Sequence, residues 1–310
     1  MAPELHVIFG TGAVGSWTAR ALCDGGKRVR AVNHSGARPD LMPAQVEMVT
    51  ADASDPSQAR EAAKGASVVY QALNPPYHLW DEFFPRLQAG VLGAAKVENA
   101  RYVSVENLYM YDSSKQITED STTAPVSKKG ALRQRMAEEV MAAHSRGEVR
   151  AVALRSSDYY GPGVVGSALG EMVFGKLVAG KKARISGSAR MPHSFAYIED
   201  VGRAAEVLGT NDTALGRVWI TPHAPAETQG EMIDEACRVL GTETRVSVVS
   251  PLMMRLAGLF IPAARESVEM MHEFTASFVV ASTRMGREFN LSATPIPSGI
   301  ERTVSWYRER

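Results

Sequence analysis

A chain of 310 residues leaves room for two domains of about 150 residues each, or for one elaborated α/β domain. Its 34 basic and 34 acidic side chains cancel, so it has no one-signed field with which to grip a nucleic acid or an anionic membrane. The richest apolar run, Leu252–Ala264, is cut by Arg255 and falls short of the ~18 residues that cross a bilayer. Glu4, just ahead of the first apolar run, argues against a signal peptide. Two cysteines, Cys23 and Cys237, are too few for a disulfide framework and fit a reducing compartment. A cytoplasmic globular protein is expected, with neither nucleic-acid nor membrane partners.

Short β-branched runs alternate with helical patterns through the first half, as βαβ units of a parallel sheet do. Leu5–Phe9 reads as the first strand, and a helix from about Ala13 to Leu22 stops at Gly25-Gly26. Strands are predicted at Arg28–Asn33, Val46–Thr50 and Ser67–Leu73, with a helix over roughly Gln58–Lys64. The next helix, from about Asp81 to Lys96, places Phe83, Phe84, Leu87, Val91 and Leu92 on its apolar side. Arg101–Val105 is the fifth strand, and Val149–Leu154 the sixth. Between them Lys128–His144 spaces Leu132, Met136 and Val140 four apart, as an amphipathic helix does. After Gly161-Pro162-Gly163 the alternation ends and methionines accumulate (Met253, Met254, Met270, Met271).

Gly10-Thr11-Gly12-Ala13-Val14-Gly15 sits between the first strand and the first helix, the context that gives a glycine-rich turn its meaning. Gly10 permits a tight turn, Gly12 lets backbone approach a pyrophosphate, and Gly15 lets helix and strand pack closely. The helix N-terminus offers N–H groups to the anion. The fold class that follows is a Rossmann-like, doubly wound parallel sheet with a smaller C-terminal substrate-binding region. Residues 1–163 plus about 193–222 would form the dinucleotide-binding domain. About 164–192 and 223–310 would form a lid over the carboxyl ends of the strands. At the end of the second strand, Asn33, His34, Ser35 and Arg38 come before any carboxylate, an arrangement suited to the extra phosphate of NADP. The bland alternative makes Arg38 a solvated loop charge.

Other chemistries fit poorly. Gly175–Lys182 nearly matches a triphosphate-cradling loop, but Lys182 stands where a Ser or Thr must hold magnesium. There is no G-x-S-x-G elbow, and His272-Glu273 lacks a second histidine at ligand spacing. His193 and His223 read as loop or pocket histidines, and Glu199-Asp200 as the cap of a helix over Val201–Leu208.

With the glycine turn, the chain resembles the extended short-chain dehydrogenase/reductases, the NAD-dependent epimerase/dehydratase group, over nearly its whole length. Further blocks carrying the resemblance are Asp52-Ala53, Leu108–Tyr111, Leu154–Gly163 and Phe195–Val201. It implies that Asp52 and Ala53 contact adenine, that Ala72, Leu73 and Asn74 line the cofactor, and that Ser156, Ser157 and Asp158 approach the nicotinamide. Such folds also allow a homodimer.

The family's Ser/Thr and Tyr-x-x-x-Lys are missing. Asn107 takes the first position, while Lys129 and Arg133 stand where the tyrosine and lysine belong. Tyr111-Asp112-Ser113-Ser114-Lys115 matches literally, but among turn residues. The resemblance therefore points to atypical members that keep the cofactor fold without the tetrad. Lys129, Tyr109 or Tyr159 would then donate the proton, Arg133 would touch the ribose, and Tyr77, His78 and Trp80 would face a small-molecule substrate. An NADP-dependent oxidoreductase or epimerase-like enzyme acting on a small organic carbonyl or alcohol is expected. A catalytically silent NADP-binding redox sensor is the alternative.

Overall fold

The structure, a computed structural model, describes residues 4–260, 265–266 and 268–310; the end of the apolar run, 261–264, lies outside them. The chain divides into two compact units. The first comprises Met1–Met110, Lys129–Ser156 and Val201–Thr221, the second Tyr111–Lys128, Ser157–Asp200 and Pro222–Arg310.

The first unit is built on a seven-stranded, wholly parallel sheet. Its strands are β1 (Leu5–Phe9), β2 (Arg28–Asn33), β3 (Glu47–Thr50), β4 (Val68–Gln71), β5 (Arg101–Asn107), β6 (Arg150–Ser156) and the edge strand Val218–Ile220. Their spatial order is Val218–Ile220, β6, β5, β4, β1, β2, β3. The winding reverses between β1 and β4, so a topological switch point of a Rossmann-like sheet lies at the carboxyl ends of those strands. All five residues of β1 and all four of β4 are buried, as strands covered on both faces must be.

Helix α1 (Ala13–Asp24) follows β1 and ends at Gly25 and Gly26, the latter in the left-handed region with φ 72°. Helix α2 (Pro56–Ala63) begins under Asp55, whose carboxylate accepts from the Ser57 and Gln58 N–H groups. Helices α3 (Trp80–Val97) and α4 (Lys128–Ser145) complete the first unit's long crossovers. Val7, Phe9, Val69, Val91, Tyr102 and Ala151 lie at the centre of the unit's core, each without exposure.

β5 and β6 both outrun the predicted ends at Val105 and Leu154. Glu106 and Arg155 stand opposite each other in register, buried, with Nε donating to the carboxylate at 2.8 Å. Paired in this way, two charges continue the strands inward instead of ending them.

Three two-stranded sheets stiffen the second unit. Asp158–Tyr160 pairs with Phe195–Tyr197, Pro192–His193 with Glu227–Thr228, and Ala183–Ser186 with Val246–Val249. Phe174, Ile185, Met232, Ile233 and Ile300 form part of its core. Residues 111–128 group here because Ile117 bridges Val280, and 157–163 because Asp158–Tyr160 pairs with 195–197. The unit boundaries therefore differ from the division drawn at residue 163.

The capping role expected of Glu199 and Asp200 is corrected. The helix starts earlier, at Ile198, so both acids lie in its first turn. Asp200 accepts from the Thr294 N–H at 2.6 Å and hydroxyl at 2.7 Å, while Glu199 accepts from the Tyr197 hydroxyl at 2.6 Å.

Candidate active site

The glycine turn has three different glycines in it. Gly10 has φ 105°, and a Cβ built on it would lie 2.5 Å from the Ala72 carbonyl oxygen, so the turn passes hard against the chain leaving β4. A Cβ on Gly15 would lie 1.9 Å from the Gly10 carbonyl oxygen, which only glycine allows. Gly12 has an ordinary φ of −65°, and apart from its chain neighbours and the helix's own backbone no described atom lies within 4 Å of a Cβ built there. It N-caps α1 without a side-chain capping bond, and no acid occupies the first turn. The amide groups of Ala13, Val14 and Gly15 thus begin a 12-residue helix beside open space, with the positive end of its dipole. A diphosphate fits this cradle by charge, by hydrogen bonding and by room.

At the end of β2 the expected phosphate partners are committed to the loop. The Asn33 amide donates to Thr11 Oγ1 and to the Ala37 carbonyl, both at 2.8 Å, and its oxygen accepts from the Gly36 N–H at 2.7 Å. Ser35 Oγ accepts from the Ala37 N–H at 3.3 Å. The Arg38 guanidinium donates to the carbonyls of Pro43 and Val46 at 2.7 Å each. That tether weakens the argument for NADP, because Arg38 holds its own loop and is not simply a solvated charge. After β3, Asp52 accepts from the Ser54 N–H at 2.8 Å and hydroxyl at 2.7 Å, and Ala53 is buried beside it. Ala72, Leu73 and Asn74 leave β4 directly beneath Gly10, with the Leu73 N–H held by Gln71 at 3.0 Å.

A cluster of aromatic rings and cations gathers where β4 and β5 end. The hydroxyls of Tyr77 and Tyr109 lie 2.5 Å apart. Trp80, 2% exposed, stacks on Tyr109 at 6.1 Å and meets Tyr77 edge-on at 5.0 Å, and its indole N–H donates to the Pro75 carbonyl at 2.8 Å. It packs with Phe84, Leu132 and Met136, forming the floor of the cluster. His78 is exposed. Asn107 accepts from the Tyr109 N–H at 3.4 Å. Lys129, 4% exposed, sets its Nζ 5.4 Å from the centre of the Tyr77 ring. Arg133, one turn along α4, lies 4.5 Å from the Phe84 ring and donates to the Val105 carbonyl at 3.5 Å, which packs it into the wall.

Just past β6, the Ser156 hydroxyl is fully buried against Thr221 Oγ1 at 2.6 Å. The second unit receives Ser157, Asp158 and Tyr159 and gives the first two partners that sequence alone does not reveal. Ser157 Oγ lies 2.8 Å from His223 Nε2. Asp158 meets His193 Nε2 at 2.9 Å, and the other ring nitrogen faces the Glu273 carbonyl oxygen at 3.2 Å. His193 stacks between the rings of Phe274 and Phe278, both 4.8 Å away. Glu273 is 2% exposed, and its Oε2 has no hydrogen-bond partner. Burial, with the Asp158 charge nearby, holds its carboxyl well above the usual carboxylate range. Tyr159 is half-buried in the strand Asp158–Tyr160. Tyr111 bridges Thr123 off any helix, and the Lys115 ammonium lies 3.9 Å from the Asp112 carboxylate.

Among the described residues no group of His, Cys, Asp and Glu is placed to hold a metal ion, and no helix is long and apolar enough to cross a membrane.

Comparison with known proteins agrees with this geometry. The model of the NAD dependent epimerase/dehydratase family matches residues 7–219. No curated protein matches the sequence. Among solved structures, dTDP-glucose 4,6-dehydratase from Bacillus anthracis in complex with NAD superposes with a TM-score of 0.81 at 14% identity, covering 99% of this chain and 97% of that one. UDP-glucuronic acid 4-epimerase from Bacillus cereus, in complex with UDP-glucuronic acid and NAD, gives 0.80 at 16% identity, covering 99% of both chains. The Bordetella bronchiseptica enzyme WbmH in complex with NAD+ gives 0.76 at 16% identity, again over 99% of both. At such identities the likeness is one of fold.

Proposed function

The chain belongs to the NAD dependent epimerase/dehydratase family, and from that premise we propose that it is a nicotinamide-dependent oxidoreductase or epimerase-like enzyme. Its substrate is a small organic alcohol or carbonyl compound. The observation that carries this reading is the open Gly12 at the head of α1, with close-packed glycines on either side.

The amides of Ala13, Val14 and Gly15 hold the diphosphate of the dinucleotide. Asn33, Asp52 and Ala53 border its adenosine half, and Ala72, Leu73 and Asn74 line the stretch that leads toward β5. The bound nicotinamide supplies hydride transfer to or from a carbon of the substrate. The half-buried tyrosines at the ends of β4 and β5 offer that substrate hydroxyl groups, while Trp80 and Phe84 exclude water beneath them.

NAD is the cofactor favoured over NADP. Arg38 is tied to two backbone carbonyls, and the three solved structures named above contain NAD. Both cysteines are free thiols, which suits a reducing compartment.

Parallel fluorescence titrations with NADH and NADPH test the assignment. Micromolar or tighter binding of NADH is expected, with NADPH at least ~10-fold weaker, about 1.4 kcal/mol. Tighter binding of NADPH overturns the choice of NAD, and binding of neither overturns the enzyme reading.

A further inference from the structure

We propose that Asp158, His193 and Glu273 form a proton-held latch, which fastens residues 272–280 against the strands Asp158–Tyr160 and Pro192–His193 and opens as pH rises. The latch lies wholly within the second unit and does not depend on the dinucleotide reading.

The hydrogen bonds fix where its protons must be. His193 Nδ1 faces the Glu273 carbonyl oxygen at 3.2 Å, and a carbonyl oxygen only accepts, so Nδ1 carries a hydrogen. Nε2 faces Asp158 Oδ2 at 2.9 Å. A bare ring nitrogen and a carboxylate oxygen would turn lone pairs on each other at that distance, so a hydrogen lies between them. The pair therefore holds one proton more than a neutral imidazole and a carboxylate hold together, whichever atom carries it. Its net charge is then zero. Glu273 is the third member. Its side chain is buried with Oε2 unbonded, and burial beside the Asp158 charge keeps its carboxyl protonated well above the usual glutamate range. The cluster is neutral while both protons stay.

Its surroundings make their loss costly. The imidazole stacks with Phe274 and Phe278 at 4.8 Å each and lies 4.5 Å from the ring of Phe195. Across the pairing of Pro192–His193 with Glu227–Thr228, Glu227 stands opposite His193, and its carboxyl too is raised, by burial and by Glu231. His272, next to Glu273 in the chain, turns its Nδ1 to the Glu269 carbonyl at 2.7 Å. Three acids thus stand around one base, and each proton lost adds negative charge where the dielectric is low. Loss of the shared proton also turns the 2.9 Å contact from attraction to repulsion.

The amides that opening would release are identifiable. The Phe278 N–H donates to the Pro192 carbonyl at 2.9 Å, the Ser194 N–H to the Phe278 carbonyl at 2.8 Å, and the Ile117 N–H to the Val279 carbonyl at 2.9 Å. The closed form holds the extra protons, so it is favoured at low pH and weakens as pH climbs above the ordinary glutamate range. An opening that sheds one proton becomes up to about tenfold more frequent per pH unit.

The test is amide hydrogen exchange of the full chain at about pH 5, 7 and 9, with each rate divided by the intrinsic rate of the same peptide at that pH. Peptides covering 188–194 and 272–280 are expected to open at least ~10-fold more often at the highest pH than at the lowest, while β1 and β4 peptides do not change. Asp158→Asn should flatten the rise, because its amide N–H can donate to Nε2 without a shared proton. Glu273→Gln, which has no proton to lose, should reduce it. Nitrogen NMR of His193 in the wild type needs no variant and should show Nδ1 protonated at every pH. Opening independent of pH in the wild type, a rise that both variants leave unchanged, or a bare Nδ1 each overturns the proposal.

Discussion

Replacing Gly12 by alanine separates the turn's binding role from its structural one. Gly12 is in an ordinary backbone conformation, and apart from its chain neighbours and the helix's own backbone no described atom lies within 4 Å of the new methyl. Losing glycine's freedom in the unfolded chain stabilises by about 0.4–1 kcal/mol. Alanine as an N-cap costs a similar amount, so the net change should stay within about 1 kcal/mol. That corresponds to a thermal midpoint within about 2–4 °C of wild type. Gly15→Ala is the contrast, because its methyl would lie 1.9 Å from a backbone oxygen that cannot move without shifting β1 or α1. Overpacking of that kind costs about 3 kcal/mol or more and lowers the midpoint by at least ~6 °C. In a NADH titration, Gly12→Ala should bind at least ~10-fold more weakly, because the methyl occupies the approach of the diphosphate. A folded Gly12→Ala protein with wild-type affinity would refute the cradle, and a Gly15→Ala protein of wild-type stability would refute the packing role.

Two further outcomes concern pH. Glu273 has its folded pKa raised by burial, so its contribution to stability is complete below the ordinary glutamate range and is lost as pH rises through the folded value. Glu273→Gln should therefore melt like wild type near pH 4 and increasingly above it toward pH 9; a difference independent of pH sinks the idea. His6 is fully buried beside the Tyr70 hydroxyl at 2.9 Å, and burial lowers its pKa from 6.5 to about 4. Stability should fall by about 3 kcal/mol as pH drops from 6.5 to 4, and His6→Gln should flatten that part of the denaturant-unfolding profile; an unchanged slope in the variant rules His6 out as the cause.

What the sequence discloses tracks how local each interaction is. β1 lies where its apolar run is, because burial on both faces writes itself into consecutive residues. β5 and β6 run longer than their apolar stretches, since the pairing of Glu106 with Arg155 needs a partner 49 residues away. The glycine turn is legible because a tight turn, a free helix end and a close approach all fall within six residues. The phenol pair is not, because Tyr77 and Tyr109 are 32 residues apart and meet only through the pairing of β4 with β5. The same holds for Ser157 with His223, 66 residues apart, and for Asp158 with His193, 35 apart. The carbonyl partners of Arg38 are hidden for a related reason: they are set by the course of the loop, and no residue type announces them.

The sheet's edge strand also fixes the order in which the protein can be completed during synthesis. Val218–Ile220 pairs with β6, yet the chain emits Ser157–Asp200 of the other unit before it arrives. A nascent chain that has reached residue 200 therefore carries β6 with one row of backbone donors and acceptors unpaired, the kind of edge that recruits a foreign strand. Closure over so long an intervening segment is slow relative to local contacts. A fragment ending at Gly163 inherits the same open edge permanently, so it should aggregate where the full chain folds.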